Sequence, residues 1–309
     1  MTSRNTDRMG IPKPGPPIED GGQIAAAAQA ASPPLPPTPP SAAGPHSSGG
    51  SVPDFLKFAR PTEWVELPSK GRYYPSDHPF YQKEQVEIKY MTAKEEDILS
   101  SRSLLKKGIA IDRLIKSVCV DNVAVKSLLV GDKNALMVAA RVTGYGPEYP
   151  VNLQCPVCAS RSEMNWDLEQ LQVKVPSAEF LSKHEIEMTP SGYKILLPKT
   201  KALVTVRFLN GYDEDNLDKI SQNKNKAKLG ESRMTDQFRM MVVDINGHSD
   251  KGLIAKFADN MPANDARILR KSYAELKPDI DQELNYACPE CLSETEVDMP
   301  MTAQFFWPD

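Results

Sequence analysis

Residues 150–158 read Pro-Val-Asn-Leu-Gln-Cys-Pro-Val-Cys, and residues 283–291 read Glu-Leu-Asn-Tyr-Ala-Cys-Pro-Glu-Cys. In both stretches a run that is typical of a β-strand leads into Cys-Pro-X-Cys, and residues 294–299 again have the pattern of a strand. A Cys-Pro-X-Cys turn between two strands, called a knuckle below, brings both thiolates to one place. Two knuckles supply the four sulfurs that a tetrahedral Zn²⁺ ion binds at about 2.3 Å. The sequence therefore predicts one structural zinc ion per chain, bound by Cys155, Cys158, Cys288 and Cys291.

Three other chemistries use paired cysteines. A thioredoxin-like redox pair opens a helix, whereas residues compatible with a strand follow both pairs here. Disulfides suit secreted proteins, but the N-terminus has no apolar segment of the secretory type, and the fifth cysteine, Cys119, has no partner in the pattern. We expect Cys119 to be a buried core thiol. Iron in a rubredoxin-like site has the same ligand set, so the choice between zinc and iron stays open.

An internal repeat explains why 129 residues separate the two knuckles. Residues 64–75 are matched with 187–198, and residues 86–90 with 204–208, which alternate as half-buried strands do. An acidic cluster follows each second strand, at residues 95–97 and 213–215. Asp132 precedes Cys155 by the same interval as Asp265 precedes Cys288. The order of these matches predicts two related units.

Each unit is predicted to be α+β: a β-hairpin, then helices, then a knuckle. Thr92 and Glu95 form a capping box for one helix start, and Asn210 and Asp213 take the equivalent places in the second unit. We therefore interpret both acidic clusters as helix starts rather than as catalytic carboxylate pairs. A second helix runs toward each knuckle, with Asp132 and Asp265 as the expected N-caps. Pseudo-twofold pairing of the units would place their knuckles around one four-cysteine site.

The distribution of proline sets the domain boundaries. Residues 1–53 hold 12 of the chain's 27 prolines and no Phe, Trp or Tyr. Such a segment has little to bury, so we expect a disordered, partly polyproline-II arm, which could be a plain linker or could reach neighbouring subunits. The predicted units are the arm at 1–53, a first repeat unit at 54–175 and a second at 176–309. The whole chain, with 309 residues and a net charge of −4, is otherwise of average globular composition, without a membrane-spanning run.

Catalytic motifs are missing from the sequence. The four histidines, at 46, 78, 184 and 248, lie apart from the cysteine pairs and form no HExxH motif. There is no GxSxG elbow, no GxxxxGK[ST] phosphate loop and no GxGxxG after a strand. A site closed by four thiolates also leaves no open coordination position. We therefore predict a protein that is not an enzyme and has no small-molecule substrate.

The residues leading to the first knuckle, 130–136 and 140–146, followed by a strand into Cys155-Pro156-Val157-Cys158, resemble the T4-like bacteriophage baseplate hub assembly proteins. Residues 67–75 share the resemblance, which covers most of 60–300. It implies a hub subunit or an assembly factor of the contractile-tail baseplate, with other tail and baseplate hub proteins as partners. The expected location is the host cytoplasm during assembly or the baseplate of the virion tail.

A nucleic-acid-binding zinc-ribbon protein is the alternative function. Against it, four acidic residues lie in or after the second knuckle (Glu290, Glu294, Glu296 and Asp298), and these would repel phosphate. The basic stretch 219–228 is predicted to be a solvated insertion loop. We therefore expect neither nucleic acid nor a membrane as a partner.

The C-terminal residues 303–309 include Phe305, Phe306 and Trp307. Two interpretations follow from this cluster. The rings fold back onto the core of the chain, or they anchor a partner protein.

Overall fold

The computed structural model describes residues 60–226, 232–299 and 303–306, which lie in the unit formed by residues 57–309. The predicted arm at 1–53 and Trp307 are outside the described residues. Strands and helices are mixed along the described chain, which confirms the predicted α+β class. The division into units at 54–175 and 176–309 stays a prediction.

From residue 60 to residue 167 the described chain holds four strands and four α-helices. They are β1 (Thr62–Glu66), β2 (Gln85–Lys89), α1 (Ala93–Ser100), α2 (Arg102–Lys106), α3 (Ala110–Val118), α4 (Val130–Tyr145), β3 (Glu148–Gln154) and β4 (Arg161–Asp167). β1 pairs with β2 and β3 pairs with β4, both antiparallel. The first cysteine pair lies in the turn between β3 and β4.

The rest of the described chain adds eight strands and five helices. They are β5 (Val173–Lys174), α5 (Ala178–Lys183), β6 (Glu187–Thr189), β7 (Gly192–Leu196), β8 (Leu203–Arg207), α6 (Gly211–Lys226), α7 (Arg233–Met241), β9 (Val242–Ile245), α8 (Lys251–Asn260), α9 (Ala263–Leu276), β10 (Asp279–Ile280), β11 (Glu283–Ala287) and β12 (Glu294–Asp298). β6 to β9 form an antiparallel sheet in that order. The second cysteine pair lies in the turn between β11 and β12, which pair with each other.

The hairpin β1–β2 and the hairpin β7–β8 differ mainly in the length of the connection between their strands. Residues 67–84 join β1 to β2, whereas residues 197–202 join β7 to β8. The predicted match of 86–90 with 204–208 falls on β2 and β8. The strand that precedes β8 is β7, so Leu197 and Pro198, rather than residues 190–191, follow the first strand as Leu67 and Pro68 follow β1. The sequence match placed the first strand too early because the two connections differ in length.

Both predicted capping boxes are present. Glu95 Oε2 accepts hydrogen bonds from the N–H and hydroxyl of Thr92, at 3.0 and 2.6 Å. Asp213 accepts the N–H of Asn210 at 3.0 Å, and the amide oxygen of Asn210 accepts the N–H of Asp213 at 3.1 Å. The acidic clusters are therefore helix starts, as predicted.

Asp132 and Asp265 are not N-caps, which corrects the sequence expectation. Leu129 and Pro262 hold the N-cap positions of α4 and α9, so each aspartate is the third residue of its helix. Both are fully buried. Their carboxylates accept hydrogen bonds from turns earlier in the chain, Asp132 from Ser69 and Asp265 from the N–H groups of Lys199 and Thr200.

The basic stretch predicted as a loop is helical in its described part, because α6 continues to Lys226. Residues 227 and 228 are outside the described residues. Cys119 is buried, as expected, and burial raises the pKa of its thiol to about 12.

The C-terminal phenylalanines belong to the core. Phe305 and Phe306 are buried, and the ring of Phe305 contacts that of Tyr149 edge-on at 5.1 Å. The buried Arg141 of α4 donates hydrogen bonds to the carbonyls of Phe305, Gly146 and Glu148. This supports the interpretation that the tail packs on its own chain at these two residues.

The half of the chain that carries the first knuckle contacts the half that carries the second. β5 pairs with β10, and the N–H of Val130 donates to the carbonyl of Leu209 at 3.2 Å. The main core runs through both halves and includes Leu67, Ile88, Leu114, Leu136, Ile195, Val204, Leu269 and Leu276. Among the described residues, no helix has the length and apolar character needed to cross a membrane.

Candidate metal centre

The first cysteine pair sits in a tight turn at the tip of the β3–β4 hairpin. The strand register ends with Gln154 opposite Arg161. The N–H of Cys155 then donates to the carbonyl of Ser160 at 2.8 Å, and the N–H of Ala159 donates to the carbonyl of Cys155 at 2.9 Å. Ala159 has a φ of 60°, which lets the chain reverse directly after Cys158.

The second pair occupies a turn of the same construction at the tip of β11–β12. The N–H of Cys288 donates to the carbonyl of Ser293 at 3.0 Å, and that of Leu292 donates to the carbonyl of Cys288 at 2.9 Å. Leu292 has a φ of 55°. Both predicted knuckles therefore form between two strands, with matching backbone hydrogen bonds.

The structure brings all four predicted cysteines together. Their sulfur atoms lie within 4.8 Å of one another. Sγ of Cys155 is 3.7 Å from Sγ of Cys291, and Sγ of Cys158 is 3.7 Å from Sγ of Cys288. Four sulfurs at about 2.3 Å from a central tetrahedral ion would be about 3.8 Å apart. The four thiols could thus hold one metal ion.

All five cysteines of the chain are free thiols in the structure. The 3.7 Å separations are far longer than the sulfur–sulfur bond of a disulfide, about 2.05 Å. Cys155 and Cys288, the first residue of each pair, are buried, whereas Cys158 and Cys291 are exposed. The centre therefore lies at the surface, closed from below by the two hairpins.

Two serines lie beside the sulfurs in equivalent positions. Ser160 Oγ is 3.0 Å from Sγ of Cys158 and 3.4 Å from Sγ of Cys288. Ser293 Oγ is 3.0 Å from Sγ of Cys291 and 3.7 Å from Sγ of Cys155. Each hydroxyl can therefore donate toward the second cysteine of its own turn and stands beside the first cysteine of the other turn.

Hydrogen bonds to sulfur favour the thiolate form at the buried positions. The hydroxyl of Ser160 and the N–H of Cys291 lower the pKa of Cys288 to about 5. The N–H groups of Cys158 and Val157 lie 3.5 and 3.4 Å from Sγ of Cys155, and they lower the pKa of that thiol. The thiolate is the form of cysteine that binds metals.

A small apolar cluster underlies the centre and is joined to the main core through Leu153 and Val297, which pack against both. Tyr286, Cys155 and Cys288 are its buried members, and Leu153, Met164 and Val297 pack against them. The hydroxyl groups of Tyr286 and Ser162 are 2.6 Å apart, which links the two hairpins. The hairpin tips thus have very little apolar surface of their own to hold them together.

Histidine has no place in this centre among the described residues. His78 stacks on Tyr74 with ring centroids 4.1 Å apart, and its Nε2 lies 2.8 Å from Oγ of Ser127. Burial lowers the pKa of His78. The ring therefore serves packing within the connection between β1 and β2.

Ser160 and Ser293 were not among the predicted site residues, although the sequence carries a signal for both. Each serine follows its second cysteine by two residues, so both turns read Cys-Pro-X-Cys-X-Ser. A motif extended by two residues would have included them. Asp132 and Asp265 were noticed, but as helix caps rather than as buried acceptors for distant turns.

Comparison with known proteins gives one match. The model of a family described as T4 bacteriophage base plate protein matches residues 62–307. No curated protein and no solved structure matches the chain.

Proposed function

The chain belongs to the T4 bacteriophage base plate protein family, and from this membership we propose that it serves in the baseplate hub, as a hub subunit or as an assembly factor for hub proteins. Membership indicates a structural rather than an enzymatic role in the phage tail baseplate, with other baseplate and tail proteins as partners. The match covers nearly all of the described chain, and this is the observation that carries the proposal.

The location of the protein in purified tails tests the proposed hub role and separates a hub subunit from an assembly factor. Cryo-EM of purified tails should show its fold on the axis of the baseplate if it is a hub subunit. An assembly factor would instead be missing from finished tails and would co-purify with hub proteins expressed together with it in the host. Density in the outer parts of the baseplate would contradict the proposal. So would normal hubs in phage that lack the protein.

We also propose that the four-thiol centre binds one structural Zn²⁺ ion that joins the two hairpins. The sulfur separations fit a tetrahedral ion, and four thiolates leave no open position for a substrate. Structural zinc contributes on the order of 10 kcal/mol of binding free energy that is linked to folding. The small cluster under the centre supplies little else to hold the tips, which supports a stabilising role for the ion.

Metal analysis tests this proposal directly. Protein purified without chelator should contain about one zinc ion per chain. Cys288→Ser should lose the ion and increase amide exchange in both hairpins, whereas Cys119→Ala should keep the ion, because Cys119 lies in the core and away from the centre. Iron in place of zinc, two ions per chain or none would contradict it. Loosening of β11–β12 alone would contradict the shared site.

The nucleic-acid alternative makes a different prediction. Glu290, Glu294, Glu296 and Asp298 are all exposed on the second hairpin or its turn, where they repel phosphate. A fluorescence titration with double-stranded DNA, single-stranded DNA or RNA should therefore detect no salt-dependent binding. Salt-dependent binding in the micromolar range would favour the alternative.

A further inference from the structure

A groove of about 610 Å³, partly apolar and partly acidic, is lined by residues of α4 and β1. The small side chains of Ala135, Val138, Ala139 and Val142 form its floor. Two large apolar side chains at its border are exposed, Trp64 by 64% and Val175 by 73%. Exposed apolar side chains that are concentrated beside a concave surface mark an interaction site more often than scattered ones do.

The groove follows the free edge of a strand. Four successive residues of β1, Glu63 to Glu66, line it. Because successive side chains of a strand point to opposite faces, a groove that touches all four runs along the strand's edge. Among the described residues β1 pairs only with β2, on its other side. The backbone groups on this edge are thus available to another strand.

A second extended segment also lines the groove. It includes Leu171, Gln172 and Val173, and Val173 belongs to β5. Within the described ranges β5 pairs only with β10, which leaves its second edge open as well. A peptide strand placed in the groove would therefore contact the apolar side chains of α4, with the open edge of β1 and that of β5 both among the groove's lining.

The charges of the groove are all of one sign. Glu63, Glu66 and Glu169 line it, and no lysine or arginine does so among the described residues. Glu66 and Glu169 are exposed. Glu66 already has a long, exposed ion pair with Lys70, at 4.0 Å, which a bound cationic side chain would have to share or replace. A bound segment with lysine or arginine side chains would meet complementary charge.

We propose that this groove binds an extended segment of another baseplate protein, which adds as a strand to the free edge of β1. The segment places apolar side chains on α4 and beside Trp64 and Val175, and its lysine or arginine side chains face the three glutamates. This is strand addition to a sheet edge, in which main-chain hydrogen bonds give affinity and side-chain pockets give selectivity. The source of the partner rests on the baseplate role, whereas the groove depends neither on the metal nor on the hub position.

Hydrogen exchange measured by mass spectrometry on the full, metal-loaded chain tests the proposal. The probe is a short synthetic peptide of alternating lysine and valine, and the control peptide carries glutamate in place of lysine. At a peptide concentration of ten times its dissociation constant, exchange at residues 62–66 and 171–175 should slow by about tenfold. The protection should decrease at high salt, which screens the charges.

Matched variants separate a specific groove from general stickiness. Ala139→Phe fills the floor and should abolish the protection, whereas Ala274→Phe, at an exposed position of α9, should not. Replacing Glu63, Glu66 and Glu169 by glutamine should weaken binding. The same change at Glu179, Glu185 and Glu283, which are exposed elsewhere, should leave it unaltered.

Three results would overturn the proposal. They are equal protection by the glutamate peptide, peptide-induced protection outside 62–66 and 171–175, and strong protection, before any peptide is added, of those amides of 62–66 that do not hydrogen-bond to β2. In the last case the groove is already filled by the N-terminal part of the chain or by a second copy. None of these results would affect zinc content or the position of the protein in the tail, so failure here is distinct from failure of the proposed function.

Discussion

Ser160 and Ser293 are two single side chains that lie beside the cysteines of the four-thiol centre. Their hydroxyls each approach one sulfur from each hairpin, between 3.0 and 3.7 Å. Groups that hydrogen-bond to metal ligands orient them and adjust their charge, and replacing such groups typically reduces metal affinity 10- to 100-fold. Because each serine reaches across to the other turn, its loss affects both halves of the site.

The first prediction concerns these two serines. Ser160→Ala or Ser293→Ala should each lower zinc affinity by about tenfold, measured by competition with a chromogenic chelator. Ser191→Ala, in an exposed turn remote in sequence from both knuckles, is the matched control and should bind zinc as the wild type does. Unchanged affinity in both serine variants would show that backbone N–H groups alone hold the sulfurs.

Asp132 and Asp265 occupy equivalent places but differ in electrostatics. Burial raises the pKa of Asp132, more than the hydrogen bonds from Ser69 and Tyr74 lower it. Burial also raises the pKa of Asp265, but hydrogen bonds from the N–H groups of Lys199 and Thr200 lower that pKa by more. The pKa of Asp265 is therefore below its ordinary value of 3.8. The ionised form is thus stabilised by the fold only at Asp265.

The second prediction follows from these opposite shifts. The contribution of Asp265 to stability is complete above about pH 4 and is lost as pH falls through its lowered pKa. The contribution of Asp132 to stability is present at low pH and decreases as the pH rises from about 4 through the raised pKa of Asp132. Asp265→Asn should therefore cost about 1–3 kcal/mol at pH 7 and less at low pH. Asp132→Asn should cost less at pH 7 than at pH 4.

Urea unfolding of both variants and the wild type at several pH values checks this. The same pH trend for both substitutions would contradict the assigned electrostatics.

Residue-level predictions from the sequence succeeded where the partner is near in the chain. The cysteines of each knuckle and both capping boxes involve residues at most three positions apart, so spacing alone identifies them. The acceptor role of Asp132 depends on Ser69, which is 63 positions away. A carboxylate in the first turn of a helix suits a cap as well as a distant turn, and nothing local to the residue distinguishes the two.

Close contact between α4 and β10 is the main constraint at the level of elements. A Cβ atom at Gly131 would lie 1.9 Å from the carbonyl oxygen of Pro278. The side chain of Asn134 also donates to Asp279 at 3.1 Å. The helix that leads to the first knuckle is thus packed directly against the backbone that leads to the second.

The third prediction uses this contact. Gly131→Ala should destabilise the protein by about 3 kcal/mol or more, because backbone must move to admit the methyl group. Gly252→Ala is the control, since its Cβ would meet only the side chain of Asp250 and alanine favours a helix. Thermal unfolding compares the two. A Gly131→Ala protein as stable as the wild type would show that α4 and β10 separate easily.

The length of α6 is one feature of the elements that the sequence did not reveal. Its start was predicted from Asn210 and Asp213, but its later residues are mostly Lys, Asn, Gln and Ser, with few apolar side chains to mark a periodic stripe. Lys126 and Lys224 form ion pairs with Asp215 of α6 and Asp236 of α7, respectively. These contacts with other parts of the chain are not visible as hydrophobic periodicity.

At the scale of the whole molecule, two of the links between the halves near the knuckles differ in how visible they are in the sequence. One is the pairing of β5 with β10, which has two residues on each side. The other is the four-thiol centre. The sequence predicted the second because matched motifs imply a shared site. It gave no sign of the first, because two-residue strands carry too little pattern to be recognised.

The fourth prediction concerns removal of the proposed zinc ion. Chelation should increase amide exchange in β3–β4 and β11–β12 together, by about a hundredfold or more, while α4 and the main core change little. Zinc added back should restore protection in both hairpins. An increase throughout the chain would instead mean that the centre supports the main core.

The separation of the two knuckles also has a consequence for biosynthesis. Cys155 and Cys158 leave the ribosome first, and 129 further residues must be added before Cys288. At 5–20 residues per second this interval is roughly 6 to 26 s. During it the first pair has only two sulfurs to offer, so a tetrahedral ion cannot be fully coordinated within the chain. The complete four-thiol centre can therefore form only after translation has passed residue 291. Truncated chains that stop earlier would lack the centre.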